Sequence, residues 1–154
     1  MTAALLCAAP AFAADIDLVK PDGQHRTLTA ADLAQLPAVS EHIAFQTEHG
    51  NRAADYAGPR LWDVLKAAGL AGNGPPRDLL RDALLVTGSD GYGVVVAMGE
   101  IIPEFEDKDV ILAQKMNGQP LSGSEVRLAV PGDRHGGRSV RDVVRIEVKR
   151  LESR

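Results

Sequence analysis

An α+β domain, a mixed sheet with short helices, is the fold class this sequence predicts, and three features predict it. Several short apolar runs, some alternating in and out with a period of two, have the pattern of strands. Turn dipeptides punctuate them, Asp90-Gly91 and Asn117-Gly118 among them, and these residues tolerate the positive φ that two-residue hairpins require. Only two or three segments show helical spacing, and they do not alternate strictly with the strands. At 154 residues, 45% hydrophobic and 25% charged, the chain suits one domain with one core.

The elements follow in order. Asp15 to Val19 reads as a short strand, reversed by the turn residues Lys20-Pro21-Asp22-Gly23. Thr29 can cap a short helix from Ala30 to about Gln35, with Asp32 in its first turn and Pro37 closing it. Val39 to Thr47 contains a strand, and Glu48 to Gly58 reads as a polar loop. The clearest helix follows Pro59: Leu61, Val64, Leu65 and Ala68 recur at helical spacing, Gly69 ends it, and Trp62 is expected at its margin. Residues 71–78, rich in glycine and proline, read as a spacer. Two hairpins then flank a short helix or turn around Gly99 to Asp107. Two final strands close the chain, and in the last one Val144, Ile146 and Val148 are expected on one face with Arg145, Glu147 and Lys149 on the other.

Net charge is −4, so there is no overall basic field of the kind that attracts nucleic acid or acidic membranes. Any anion site has to be local. Residues 1–13 are small and apolar and end in Ala11-Phe12-Ala13, the small-x-small pattern that precedes signal cleavage. Cleavage after Ala13 is expected, leaving a single domain over 14–154 in a periplasmic or secreted location, although a positive n-region is missing. The stretch is too short to span a bilayer. Cys7, the only cysteine, would leave with the leader, and the mature chain would hold no thiolate for a disulfide, a nucleophile or a metal.

The chemistry concentrates in Pro131 to Arg141. Gly136 and Gly137 let backbone N–H groups approach a ligand, Arg138 and Arg141 carry planar forks suited to phosphate or carboxylate, and Ser139 adds a hydroxyl. Together they make an anion cradle, set against the alternative of a solvated loop. Asp90 and Tyr92 read as hairpin residues, the aspartate serving the turn and the tyrosine packing across it. Glu100, Glu104, Glu106, Asp107 and Asp109 read as a solvated acidic face. His42, His49 and His135 are three imidazoles that suit a transition metal, but nothing in their spacing supports such a site. Hydrolase and nucleotide-binding fingerprints are absent.

The segments "GPRLWDVLKAAGL", "DGYGVVVAMGEIIPEFEDKDVILAQKMNGQPLSGSEVRLAVPG" and "GGRSVRDVVRIEV", in that order, resemble the molybdopterin-binding domain of the sulfite-oxidase type of oxidoreductase over roughly residues 40 to 148. The resemblance implies that fold, a molybdopterin cofactor, and a cofactor-holding loop at Arg138, Ser139 and Arg141 with His135 beside them. Family enzymes carry a molybdenum-binding cysteine in a segment similar to Leu-Gln-Cys-x-Gly-Asn-Arg. The comparable stretch here is Phe45 to Arg52, where Thr47 falls at the cysteine's place, with one extra residue before Gly50-Asn51-Arg52. A neutral hydroxyl is a poor ligand for a metal that favours thiolate, which puts redox catalysis in doubt. Asn51, Arg52 and His49 remain candidates for a pterin or another small anion. The sequence therefore predicts an exported pterin- or anion-binding domain, with a ligand-free accessory module for a periplasmic redox partner as the alternative.

Overall fold

The computed structural model describes residues 15–71 and 74–152. The leader expected over residues 1–13, with Cys7 and the expected cleavage after Ala13, falls outside them. Strand β1 (Ile16–Val19) turns into β2 (His25–Leu28). Helix α1 (Ala30–Ala34) begins at the expected cap: Thr29 Oγ1 accepts from Asp32 N at 3.1 Å while Thr29 N donates to Asp32 Oδ2 at 2.8 Å. That reciprocal pair satisfies two donors the first turn would leave free.

Strands β3 (Ala38–Thr47) and β4 (Gly50–Pro59) form a ribbon paired residue for residue from Ala38↔Pro59 to Thr47↔Gly50. The polar loop expected over Glu48 to Gly58 is therefore corrected to a strand. Its polar residues gave the wrong impression because an antiparallel ribbon can turn one face to water. Helix α2 (Leu61–Ala67) buries Leu61, Trp62, Val64 and Leu65. Trp62 is inside rather than at the margin, with Lys66 Nζ 5.9 Å from its ring centroid. The end of the expected spacer enters a 3-10 helix, Pro76–Arg81, which runs past it and packs Leu79 on the core.

Strands β5 (Asp82–Gly88) and β6 (Gly93–Ala97) form a hairpin closed by Gly88 N donating to Tyr92 O at 2.9 Å. Ser89, Asp90 and Gly91 fill that loop, one residue more than the two-residue turn expected. Helix α3 (Met98–Ile101) follows, then β7 (Ile111–Ala113), β8 (Lys115–Met116), β9 (Gln119–Pro120), β10 (Arg127–Ala129) and β11 (Val143–Arg150). Between β8 and β9, Asn117 and Gly118 both have positive φ, 50° and 78°, as a tight two-residue turn requires.

The main sheet has the order β2-β1-β11-β5-β6, with β1 and β11 parallel and the other pairs antiparallel. The second sheet is antiparallel, β3-β4-β8-β9, and β7 pairs with β10 between the two. A bulge in β11 between Val143 and Arg145 changes its inward face: Val143, Ile146 and Val148 are buried and Val144 is not. The even alternation expected from Val144 onward is corrected there, because the extra residue turns the strand's first side chain inward.

The larger apolar cluster includes Leu18, Leu33, Leu65, Leu84, Met98, Leu128 and Ile146. A smaller one, Ile43, Tyr56, Ile111, Ala113 and Ala129, lies under the ribbon. At Gly58 the ribbon crosses β7 so closely that a Cβ would stand 2.1 Å from the Leu112 carbonyl oxygen. The fold thereby holds the long ribbon against a stiff core and leaves its tip free to form the wall of a cleft.

Candidate functional site: a cleft at the ribbon tip

The ribbon's register decides which side chains share a face. Directly paired residues project the same way, so the pairs Phe45↔Arg52, Ile43↔Ala54 and Glu41↔Tyr56 put Phe45, Arg52 and Tyr56 on one side. Ile43 and Tyr56 anchor that side in the smaller cluster, and Arg52 extends beyond them. The opposite side carries His42, bound to Asp55 through Nδ1 at 2.6 Å, and Gln46, paired with Asn51.

The loop 131–141 forms the second wall. Gln46 N donates to Arg134 O at 2.8 Å, and Gln46 bridges to His135. A short 3-10 turn, Gly136–Arg138, follows. Gly136 lies so close to Phe45 that a Cβ there would come within 2.7 Å of the ring and force the aromatic or the loop to shift. The Tyr92 hydroxyl donates to Gly137 O at 2.5 Å. Tyr92 thus reaches the loop instead of merely packing across its own hairpin.

Between these walls is an open cleft of about 680 Å³. Thr47, His49, Asn51 and Arg52 line it from the ribbon, Ser139 and Arg141 from the loop, and Tyr56 and Arg127 from below. No carboxylate is among the described residues that line it. Of the residues the sequence nominated, His49, Asn51, Arg52, Ser139 and Arg141 therefore meet around one space. His135 lies in a neighbouring depression with Ala44, Gln46 and Arg134. Arg138 points elsewhere. Its Nε and Nη2 donate to Asp133 at 2.8 and 2.6 Å, and its Nη1 to both oxygens of Glu100 at 3.1 Å.

These contacts shift both acids downward. Hydrogen bonds from Arg138 hold the Asp133 carboxyl below its ordinary value against the opposing effect of burial. Burial alone would raise Glu100, but hydrogen bonds from Lys108, Arg138 and the Ala97 amide outweigh it and leave that carboxyl below the usual range. Asp133 and Glu100 in turn raise the Arg138 guanidinium above its already high value. Lys108 Nζ also pairs with Glu106 at 3.1 Å, and Arg60 holds Asp107 and Asp109. The acidic stretch expected to be a solvated face is thus largely a set of ion-pair partners.

Arg127 and Tyr56 are cleft residues that the sequence did not nominate. Arg127 lies at the start of β10, its guanidinium carbon 5.9 Å from the Tyr56 ring centroid, with Nη2 bound to Glu125 at 2.9 Å. Burial disfavours its charge, but hydrogen bonds and charge interactions with Glu125 and Tyr56 together outweigh it and raise its pKa. The available signal was the motif Arg-Leu-x-Val-Pro-Gly, in which the arginine opens a strand whose next residues are buried.

The donor set fits a ligand with phosphate or another oxyanion and a flat polar ring, since arginine forks, a hydroxyl and an amide converge there beside Tyr56. A protein ligand for a metal is another matter. Thr47 Oγ1 donates to Gly50 O at 2.8 Å and accepts from His49 N at 3.1 Å, so it is spent on closing the ribbon turn. Among the described residues, no three His, Cys, Asp or Glu side chains are grouped as for a metal ion. His42, His49 and His135 do not converge.

Over residues 15–154 the chain matches the oxidoreductase molybdopterin-binding domain family, and it belongs to that family. Among solved structures it is similar to the sulfane dehydrogenase SoxCD from Paracoccus pantotrophus, with a TM-score of 0.67 and 22% sequence identity over 91% of this chain. The chain spans 39% of the length of that SoxCD chain. No relative was found among curated proteins. The fold is accordingly the sulfite-oxidase type of molybdopterin-binding domain. No helix among the described residues is long and apolar enough to cross a membrane.

Proposed function

We propose that this domain is an exported binding protein that takes a pterin cofactor or another small anion into the cleft between the ribbon tip and the loop 131–141. One observation carries the reading: in a chain of net charge −4, three arginines and no carboxylate line that cleft among the described residues. Arg52 and Arg141 would bind the anionic end, with Ser139 and Asn51 as neutral donors and Tyr56 beneath a ring. Arg127, steadied by Glu125, adds fixed positive charge without needing to move. Preorganised donors of this kind lower the ordering cost of binding.

When bound, molybdopterin would supply a dithiolene for a metal and with it two-electron redox chemistry. This chain offers no thiolate at Thr47, and the hydroxyl there is already hydrogen-bonded on both sides, which favours binding over catalysis. The test is to express the protein in a host that makes molybdopterin, purify it, and measure both pterin fluorescence after oxidative release and molybdenum content. Pterin at near one per chain with little metal is the expected result. Stoichiometric molybdenum would favour an enzyme, and neither pterin nor metal would favour a ligand-free accessory module for a periplasmic redox partner.

A further inference from the structure

We infer that Arg138 is a positioning residue for the cleft: clamped between Glu100 and Asp133, it fixes the Gly136–Ser139 wall and does not itself take the ligand. The inference rests on reading the cleft as an anion site and assigns a different role to one of the arginines in the loop. A guanidinium has about five N–H donors. Arg138 commits Nε, Nη1 and Nη2 to carboxylate oxygens, bidentate on Asp133 and forked on Glu100. Little donor capacity is left for a guest.

The charge around it leads to the same conclusion. Glu100, Asp133 and Glu106 face Arg138 and Lys108 in one connected network, so carboxylates outnumber cations where Arg138 ends. An incoming anion would meet repulsion there. Arg141, three residues along the chain, lines the cleft instead and has no carboxylate within ion-pair distance among the described residues.

What the clamp does follows from where its ends are fixed. Glu100 lies on α3, whose Met98 and Ile101 are fully buried in the main core, and it also accepts from Ala97 N at 3.2 Å and Lys108 Nζ at 3.1 Å. The loop end is a 3-10 turn closed by Ser139 N donating to Gly136 O at 3.1 Å. Arg138 therefore links the rigid core to the wall that presents Ser139 and Arg141. Tyr92, through Gly137 O, holds the same wall from the β5–β6 loop.

The two roles for Arg138 predict opposite signs for Glu100→Gln. If Arg138 bound the ligand, removing a competing carboxylate would free its fork and tighten anion binding. If it positions the wall, the same change loosens the wall and weakens binding, against the direction of the lost negative charge. The experiment measures inorganic phosphate affinity by titration calorimetry and Ser139 amide exchange without phosphate, in wild type, Glu100→Gln and Arg138→Gln. Glu104→Gln, an exposed carboxylate outside the network, gives the size of a bare charge effect.

Expected are several-fold weaker phosphate binding in both clamp variants and Ser139 exchange faster by roughly tenfold or more, the scale of a lost charge-assisted hydrogen bond. Tighter binding in Glu100→Gln, or Arg138→Gln abolishing binding with Ser139 exchange unchanged, overturns the inference. Absence of phosphate binding in wild type, with Ser139 exchange slow there and fast in the variants, overturns the anion reading and leaves the clamp as architecture alone. Should Arg138→Gln not fold, the sign of Glu100→Gln decides by itself.

Discussion

Around Leu18, Leu65, Leu84 and Ile146 the domain is packed with fully buried branched side chains drawn from both helices and sheet, whereas the cluster beneath the ribbon holds only Ile43, Tyr56, Ile111, Ala113 and Ala129 with partly buried neighbours. The first region is a core in the ordinary sense, where apolar area removed from water supplies stability. The second region is thin, and its strands carry Arg52, Asn51 and Arg127 within a few residues of buried positions. The contrast separates the region whose packing keeps the domain folded from the region that lines the cleft. Polar donors are tolerated near the ribbon tip because little apolar packing depends on them.

Substitutions can break this contrast, and the largest effect is expected in the main core. Leu65→Ala removes a fully buried side chain of α2 and should cost about 2–5 kcal/mol in chemical denaturation, with phosphate affinity unchanged while the protein stays folded. Gly58→Ala acts at the seam between the two regions. Its Cβ would meet backbone, the Leu112 carbonyl at 2.1 Å, which no rotamer relieves. A loss of about 1–3 kcal/mol is expected, and here weaker phosphate binding should accompany it as the ribbon lifts.

The clamp gives a pH signature. Glu100 and Asp133 both titrate below their ordinary values in the folded chain, so as pH falls the unfolded state takes up protons first. Their contribution to stability is complete above the unfolded carboxyl range, about pH 4, and is lost as pH drops through the lower folded values. Paired Glu100→Gln and Asp133→Asn should destabilise by about 1.5–3 kcal/mol at neutral pH. In denaturation at decreasing pH the gap to wild type should close. Two smaller effects sharpen the comparison. Thr47→Ala, which loses the hydroxyl bonds that close the ribbon turn, should cost about 1 kcal/mol in melting experiments. Arg141→Gln, an exposed change, should stay within about 0.5 kcal/mol of wild type in stability yet reduce phosphate binding sharply in calorimetry.

How much could be read from the sequence depended on the range of the interaction. Local chemistry was legible: the Thr29–Asp32 cap, the α2 spacing and the Asn117-Gly118 turn are each set by residues a few positions apart, and each forms as its residue types require. The ordered motifs also carried the family and the fold. Pairing between distant segments was not legible, because nothing in β1 alone specifies a parallel partner in β11, and nothing in the polar run of β4 marks it as a strand. The bulge at Val143 defeated simple alternation for the same reason, as it answers to β5 across the sheet.

The cleft divides along the same line. Gly136, Ser139 and Arg141 could be nominated because they crowd one loop, and Asn51 and Arg52 because the resemblance aligned them. Arg138 looked equivalent to Arg141 from composition, yet Glu100, far away in sequence, distinguishes the two. Arg127 escaped notice since a lone arginine opening a strand reads as a surface residue until Tyr56 and Glu125 are placed beside it.

The most direct test compares melting temperatures of the protein purified from a molybdopterin-making host and from a host lacking that pathway, in wild type and in Arg52→Gln combined with Arg141→Gln. Binding to the folded state alone raises the melting temperature, by an amount that grows with the logarithm of ligand concentration over dissociation constant. Wild type from the competent host should melt higher, with pterin fluorescence in that sample, and the double variant should show no difference between hosts. Equal melting temperatures for wild type from both hosts despite bound pterin, or the same rise in the double variant, would contradict pterin binding in this cleft.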